Sequence, residues 1–262
     1  MGAVVEHKER ELHASQYNHM AQALERYLPK DRHLDVLELG SATSPNQVIT
    51  HRTLFKDIDH SYFGVDIRDG NNVDAVMPAP YTIPAKSKSA DVVVAGSVFE
   101  HVPMPWASIL EVARVLRPRG LFFFTAPSRG HKHTPVDCWR YYPDAVRALA
   151  AASRLTLKDV HTHYPPFTED RRHDYGNIDA ANDYWGDTVA VFQKPTKYAP
   201  TMTFVRPVVR WWANRASRQG PLGATPDPKF RCSVYKGDGE KPWDKVLRES
   251  KRAAADKVGA EK

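Results

Sequence analysis

The sequence lacks the segments that would mark a zinc-bound, disulfide-stapled or membrane-spanning protein. Its 262 residues include two cysteines, Cys138 and Cys232, whose wide separation fits neither a zinc motif nor a disulfide framework. No apolar run is as long as a membrane-spanning helix, which needs about eighteen residues. Residues 1–11 are charged, unlike the apolar core of a secretory signal. We therefore expect a cytoplasmic protein with no membrane span.

The surplus of positive over negative residues lies in the C-terminal quarter of the chain. The formal net charge is +6, but residues 194–262 hold 16 Lys and Arg against 7 Asp and Glu, a surplus of +9. The first 193 residues hold 21 against 24, a net charge of −3. This distribution does not favour a basic catalytic face that tracks nucleic-acid phosphates. We predict a solvated basic tail, and a nucleic-acid-binding arm is the alternative.

Apolar periodicity predicts a doubly wound α/β fold, with seven strands in a mostly parallel sheet covered on both faces. The predicted strands are Leu34–Leu39, Tyr62–Ile67, Val73–Val76, Ala90–Gly96, Gly120–Ala126, Leu155–Val160 and Asp187–Gln193. The predicted helices are Lys8–Leu28, Trp106–Leu116, Pro143–Ala151, Phe204–Ala216 and Trp243–Lys257. These elements define a domain at 1–195 that begins with a helix, followed by an accessory basic segment at 196–262.

Two neighbouring strands end in acidic residues. The first strand continues as VLELGSATS at residues 36–44, which places Glu38 and Gly40 at its carboxyl end, and the second ends as YFGVDI at residues 62–67, which includes Asp66. Ligands of open α/β sheets bind outside the carboxyl ends of the strands, small residues let a ligand approach the backbone, and a carboxylate can accept both hydroxyl hydrogens of a ribose. The pair predicts a nucleoside ligand, which dinucleotide enzymes also bind in this geometry.

Two later segments indicate which class of nucleoside-binding protein this is expected to be. Residues 90–102 read ADVVVAGSVFEHV, and residues 111–120 read EVARVLRPRG. Together with the two strand ends, this order and spacing closely resembles the class I methyltransferases that use S-adenosylmethionine, over residues 34–128 with an extension to Lys194. The sequence departs from the family at Ala42 and Ser44, where glycines are usual.

The resemblance implies positions for the cofactor. It places Glu38, Gly40 and Ser41 around the methionine end, with Asp66 on the ribose and Ile67 beside the adenine. Gly96 and Ser97 would line the methionine and sulfonium region. These seven residues are the predicted cofactor-binding set.

The acceptor is expected over the loops after the fourth and fifth strands. A hydroxyl acceptor benefits from a base that removes its proton, and histidine suits this task near neutral pH. His133 is one candidate, with Asp137 to orient its imidazole, and the neighbouring His131 is another. His101 is a further candidate because it follows the fourth strand. The competing interpretation is that Asp137 pairs with Arg140 to brace the loop.

The segment 164–185 is long, polar and aromatic, and loops of this length are usually functional or mobile. We predict an acceptor lid here. Interleaved aromatics and hydrogen-bonding groups suit a polyhydroxylated acceptor, although any solvated loop shares this composition. The His and Asp residues of the two acceptor segments make Mg²⁺ a further candidate cofactor.

The leading hypothesis is an O-methyltransferase that acts on a small polar acceptor, with a carbohydrate or glycosylated metabolite favoured. The alternatives are an RNA or protein methyltransferase that binds through the basic tail, and a non-catalytic scaffold of the same fold. Trp211 and Trp212 of the accessory segment suggest a homodimer interface, because exposed tryptophans often mark interfaces.

Overall fold

The structure, a computed structural model, describes residues 14–44, 47–130, 132, 136–163 and 186–219. The strands are β1 (Leu34–Leu39), β2 (His60–Asp66), β3 (Ala75–Val76), β4 (Ala90–Gly96), β5 (Leu116–Arg129), β6 (Thr156–His163) and β7 (Gly186–Gln193). The α-helices are α1 (Ala14–Tyr27), α2 (Pro105–Val115), α3 (Pro143–Ser153) and α4 (Thr201–Ala216). Short 3-10 helices cover His51–Phe55, Phe99–His101 and Ser217–Gln219.

The seven strands form one sheet in the order β3-β2-β1-β4-β5-β7-β6. Strands β1 to β5 pair in parallel, while β7 runs antiparallel to both β5 and β6. The strand order reverses between β1 and β4, which is the switch point where open α/β sheets form a ligand crevice. This confirms the predicted doubly wound, mostly parallel fold.

Helices cover the two faces of the sheet because successive strand residues point to opposite sides. On one face, Phe122 and Phe124 of β5 are buried beneath α2 and α3. On the other face, Phe123 is buried in a cluster that contains Met20 and Leu24 of α1. All residues of β4 except Gly96 are buried, as expected for a central strand covered on both sides.

The predicted bounds agree with the structure where the sequence itself marks the ends. Strands β1 and β4 have the predicted limits, and α3 begins at the predicted proline, whose missing N–H is not needed at the first helical position. Helix α2 begins and ends one residue before its predicted bounds. Strand β5 begins at Leu116 instead of Gly120, because Leu116 pairs with Ala90 of β4. For α1, the predicted residues before 14 lie outside the described ones.

Helix α4 confirms the helix predicted at Phe204–Ala216 and belongs to the compact unit Met1–Ala224. Its attachment centres on Glu111 of α2, which is fully buried. Arg114 donates to both oxygens of that carboxylate, and the Arg210 Nη1 of α4 lies 3.3 Å from it. Ala213 packs with Tyr81 and Ala107. One face of α4 is therefore held by a buried ion cluster and by apolar contacts.

Several predicted segments lie outside the described residues, namely the acceptor lid at 164–185 and the helix at Trp243–Lys257. The second unit, Thr225–Lys262, also lies entirely outside the described residues. The ends of the lid segment are described: His163 of β6 and Asp187 of β7 are paired in register. Within the described part of the chain, the search for a helix long and apolar enough to cross a membrane finds none.

Candidate active site

The crevice at the carboxyl ends of β1 and β4 depends on two glycines. Gly40 has φ +77°, in the left-handed region, and a Cβ built there would lie 2.3 Å from Cγ2 of Val98. A Cβ at Gly96 would lie 2.3 Å from Cε1 of His51. Ser97, which follows β4, also has a positive φ of 50°. Such conformations are costly for a side-chain-bearing residue and concentrate at functional sites.

Asp66 lies at the end of β2, beside the turn that follows β1. Its carboxylate accepts hydrogen bonds from the backbone N–H groups of Ala42 and Arg68, both at 3.1 Å. The side chain is only partly buried, and Ile67 next to it is exposed. A carboxylate that braces the turn and still meets solvent has oxygen lone pairs left for ligand hydroxyls.

Glu38 is buried at the end of β1 and has both carboxylate oxygens engaged. Oε1 lies 2.8 Å from Nδ1 of His51, while Oε2 accepts from the Tyr62 hydroxyl at 2.9 Å and from the Asn72 side-chain amide at 3.0 Å. The burial of Tyr62, together with the negative charge of Glu38, raises the pKa of that hydroxyl far above its ordinary value. The carboxylate is thus held by protein donors on three sides.

His51 is a residue of this crevice that the sequence analysis missed. Nδ1 of its imidazole lies 2.8 Å from Oε1 of the Glu38 carboxylate. Nε2 is buried and has no hydrogen-bond partner among the described residues. His51 follows the β1 turn in a segment without apolar periodicity, so no sequence signal distinguished it from a loop histidine.

The crevice fits a nucleoside ligand with a polar tail. Ser41 Oγ and His51 Nε2 are buried there without a partner in the described part of the chain, and a polar ligand would satisfy them, since buried polar groups are nearly always paired. Asp66 stays the residue that is predicted to contact a ribose. The side chains of Val98 and His51 closely line the expected methionine end, beside Gly40 and Gly96.

A second group of polar residues lies at the ends of β4 and β5. His101 Nδ1 is 2.7 Å from the carbonyl oxygen of Val136, and Nε2 is 3.6 Å from a carboxylate oxygen of Glu100. Asp137 accepts from both Nη atoms of Arg140, at 2.6 and 2.8 Å. The structure thus brings the predicted residues His101 and Asp137 to the same region.

Glu100 is fully buried beside this group and was not predicted as a site residue. Burial away from water, together with the negative charge of Asp137, raises the pKa of Glu100 to about 8. The Ser97 hydroxyl and Arg140 oppose this shift without cancelling it. Glu100 therefore carries a proton at neutral pH.

Two tryptophans lie against the turn that carries His101. The backbone N–H of Trp139 donates to the Glu100 carbonyl, and its indole Nε1 donates to the Val102 carbonyl at 2.9 Å. Trp106 packs edge-on against Trp139 with ring centroids 6.5 Å apart. The two side chains remain 38% and 39% exposed, so this end of the crevice has an accessible aromatic surface.

Of the predicted catalytic residues, His133 lies outside the described residues, as does His131. Mg²⁺ was a further predicted cofactor. Within residues 14–44, 47–130, 132, 136–163 and 186–219, no three His, Cys, Asp or Glu side chains cluster as a metal site would need.

Comparison with known proteins agrees with this geometry. Residues 40–124 match a family model described as a methyltransferase domain. No curated protein matches the sequence. Among solved structures, the YcgJ protein of Bacillus subtilis superposes with a TM-score of 0.52 at 14% identity, over 68% of this chain and 99% of that one.

Two further structures share the fold. A candidate methyltransferase of Bacillus halodurans gives a TM-score of 0.51 at 12% identity, over 70% of this chain and all 100% of its own. The cyclase SpnF gives 0.51 at 15% identity, over 69% and 82%. Likeness at such identities shows the fold alone, and a fold can carry more than one chemistry. The family match at residues 40–124 runs from the turn after β1 into β5 and so spans the candidate crevice.

Proposed function

We propose that the chain transfers the methyl group of S-adenosylmethionine to a hydroxyl of a small polar acceptor, with a carbohydrate or glycosylated metabolite favoured. The observation that carries this proposal is the position of His101 beside the exposed pair Trp106 and Trp139. Aromatic rings stack on the apolar faces of sugars, and a histidine can remove the hydroxyl proton. The exposed tryptophans and the imidazole serve these two tasks at one end of the crevice.

The hydrogen bond of His101 supports its role as the base. Its Nδ1 can only donate to the Val136 carbonyl oxygen, which fixes Nε2 as the nitrogen with the lone pair. When Nε2 takes the acceptor proton, the imidazolium forms 3.6 Å from the Glu100 carboxyl group. Loss of the Glu100 proton to solvent water would then leave a carboxylate that offsets the new positive charge. His101 therefore has both a defined tautomer and a nearby group that can stabilise its charged form.

His133 paired with Asp137 stays an alternative base. Both oxygens of Asp137 already accept from Arg140, which supports the bracing role for this carboxylate. The support for His101 is its contact with the Val136 carbonyl oxygen and its position near Glu100.

The cofactor supplies a methyl group on a sulfonium, and the protein has to hold the acceptor oxygen in line with it. We assign Asp66 to the ribose hydroxyls and Ile67 to the adenine. Gly40, Ser41, Gly96 and Ser97 are assigned to the methionine end. Both carboxylate oxygens of Glu38 already contact His51, Tyr62 and Asn72. Its proposed role is therefore to hold these residues in place at this end of the crevice.

The test is turnover of His101→Asn, measured as S-adenosylhomocysteine release over a panel of monosaccharides and methyl glycosides. Loss of a positioned base should lower turnover about a hundredfold or more and remove the acidic limb of the pH–rate profile. His60→Asn is the matched control, because His60 lies at the amino end of β2. Full turnover by His101→Asn would contradict the assignment, and wild-type activity on none of the sugars would contradict the acceptor class.

A further inference from the structure

Helix α4 has two apolar faces, and the body of the protein covers only one of them. Met202, Val209 and Ala213 face the body of the protein. Phe204, Val208 and Trp211, spaced as i, i+4 and i+7, share the opposite face and are 76%, 65% and 64% exposed. Trp212 and Val205 extend this surface on one side. An outward apolar surface of this kind marks an interaction site. We call it the outer face of α4.

The charge beside the outer face has one sign. The sequence from Thr201 to Gln219 has four arginines and no acidic residue. Arg206 and Arg210 are directed at Glu111. Arg215, one turn after Trp211, and Arg218 are exposed, and neither forms an ion pair with a carboxylate of the described residues. The outer face thus combines exposed aromatic and aliphatic groups with two uncommitted guanidinium groups.

A shallow groove at the end of α4 adds a place for anions. It has a volume of about 470 Å³ and runs between Pro78–Pro80 and the helix. Arg210, Arg215 and Arg218 line it together with Trp211. Guanidinium groups bind phosphate oxygens with paired hydrogen bonds. An occupant with both an apolar part and a phosphate would satisfy the outer face and the groove together.

We propose that the outer face of α4 docks on the surface of an anionic phospholipid bilayer. Tryptophan and arginine are both suited to the boundary between acyl chains and headgroups, where one part of each side chain is apolar and the other polar. A second copy of this chain would present the same arginines without a carboxylate on this face to offset them. An RNA would use the arginines but leave Phe204 and Val208 in water.

The experiment is co-sedimentation of the full chain with vesicles of phosphatidylcholine alone or with about one third phosphatidylglycerol. We expect binding to the anionic vesicles, at least roughly tenfold weaker binding to the neutral ones, and loss of affinity as salt is raised. Phe204→Ser with Trp211→Ser should weaken binding at least about tenfold through lost apolar burial. Arg215→Glu with Arg218→Glu should do the same.

The control is Lys251→Glu with Arg252→Glu, which reverses as many charges in the basic tail and should change affinity by no more than about threefold. The α4 variants should keep the circular dichroism spectrum of the wild type. The proposal is overturned if the wild type ignores anionic vesicles, or if only the tail variant loses binding. It is also overturned if the wild type sediments as a dimer that Trp211→Ser dissociates, or if binding is to RNA alone.

Discussion

At the β1–β2 end of the crevice, the buried carboxylate of Glu38 meets three hydrogen-bond donors, from His51, Tyr62 and Asn72. At the β4–β5 end, Glu100 is equally buried, but Arg140 donates from both of its Nη groups to Asp137. Three donors hold the first carboxylate, whereas burial raises the pKa of the second to about 8. Two equally buried acids can therefore differ in the number of hydrogen-bond donors that reach them.

The largest expected effect on stability is that of Glu38→Ala. The substitution leaves three donors without their acceptor in a buried site, which should lower the free energy of unfolding by about 3–5 kcal/mol. Urea denaturation measures this loss, with Glu25→Ala on the exposed surface of α1 as the control. A loss below about 1 kcal/mol would show that the three contacts do not hold Glu38 as described.

Glu100→Gln should instead increase the free energy of unfolding at alkaline pH. The folded state holds the Glu100 proton more tightly than the unfolded chain does, so the free energy of unfolding of the wild type falls as pH rises from 4.5 to about 8. Glutamine removes this loss. At pH 9 the variant should be more stable by about 2–4 kcal/mol, with little difference near pH 4.5. Denaturation at both pH values tests this, with Glu25→Gln as control, and a variant less stable than the wild type at pH 9 would refute it.

The smallest effect concerns ligand binding. Asp66→Ala should weaken S-adenosylhomocysteine binding by about 1.5–3 kcal/mol, roughly 10- to 150-fold, if its carboxylate accepts the ribose hydroxyls. Calorimetry measures the affinity. Asp69→Ala, three residues later in an exposed turn, is the matched control because Asp69 contacts only the neighbouring Gly70 N–H in the described chain. Equal affinity of Asp66→Ala and the wild type would remove Asp66 from the site.

The parts of the fold that the sequence predicted are those with local causes. Strands β1 and β4 are short and mostly apolar, and a proline marks the start of α3. The early start of β5 could not be predicted, because it depends on Ala90 of another strand. The position of Asp66 beside the β1 turn was also predictable, because this acid lies at the end of its own strand.

The environment of the site residues depends on distant partners and escaped prediction. His51 meets Glu38 only because the chain folds back after the turn. The raised pKa of Glu100 requires its burial and the approach of Asp137, 37 positions along. A single sequence shows which residues can titrate, but not how many donors will reach them. His133 stays a prediction.

The hairpin of β6 and β7 has a consequence for how this protein can diversify. His163 and Asp187 are paired neighbours, so the chain between them closes a loop whose ends are already fixed by the sheet. The entropy of closing such a loop grows only with the logarithm of its length, by about 0.6 kcal/mol per doubling. Evolution can therefore lengthen, shorten or exchange residues 164–185 at little thermodynamic cost while the sheet stays constant.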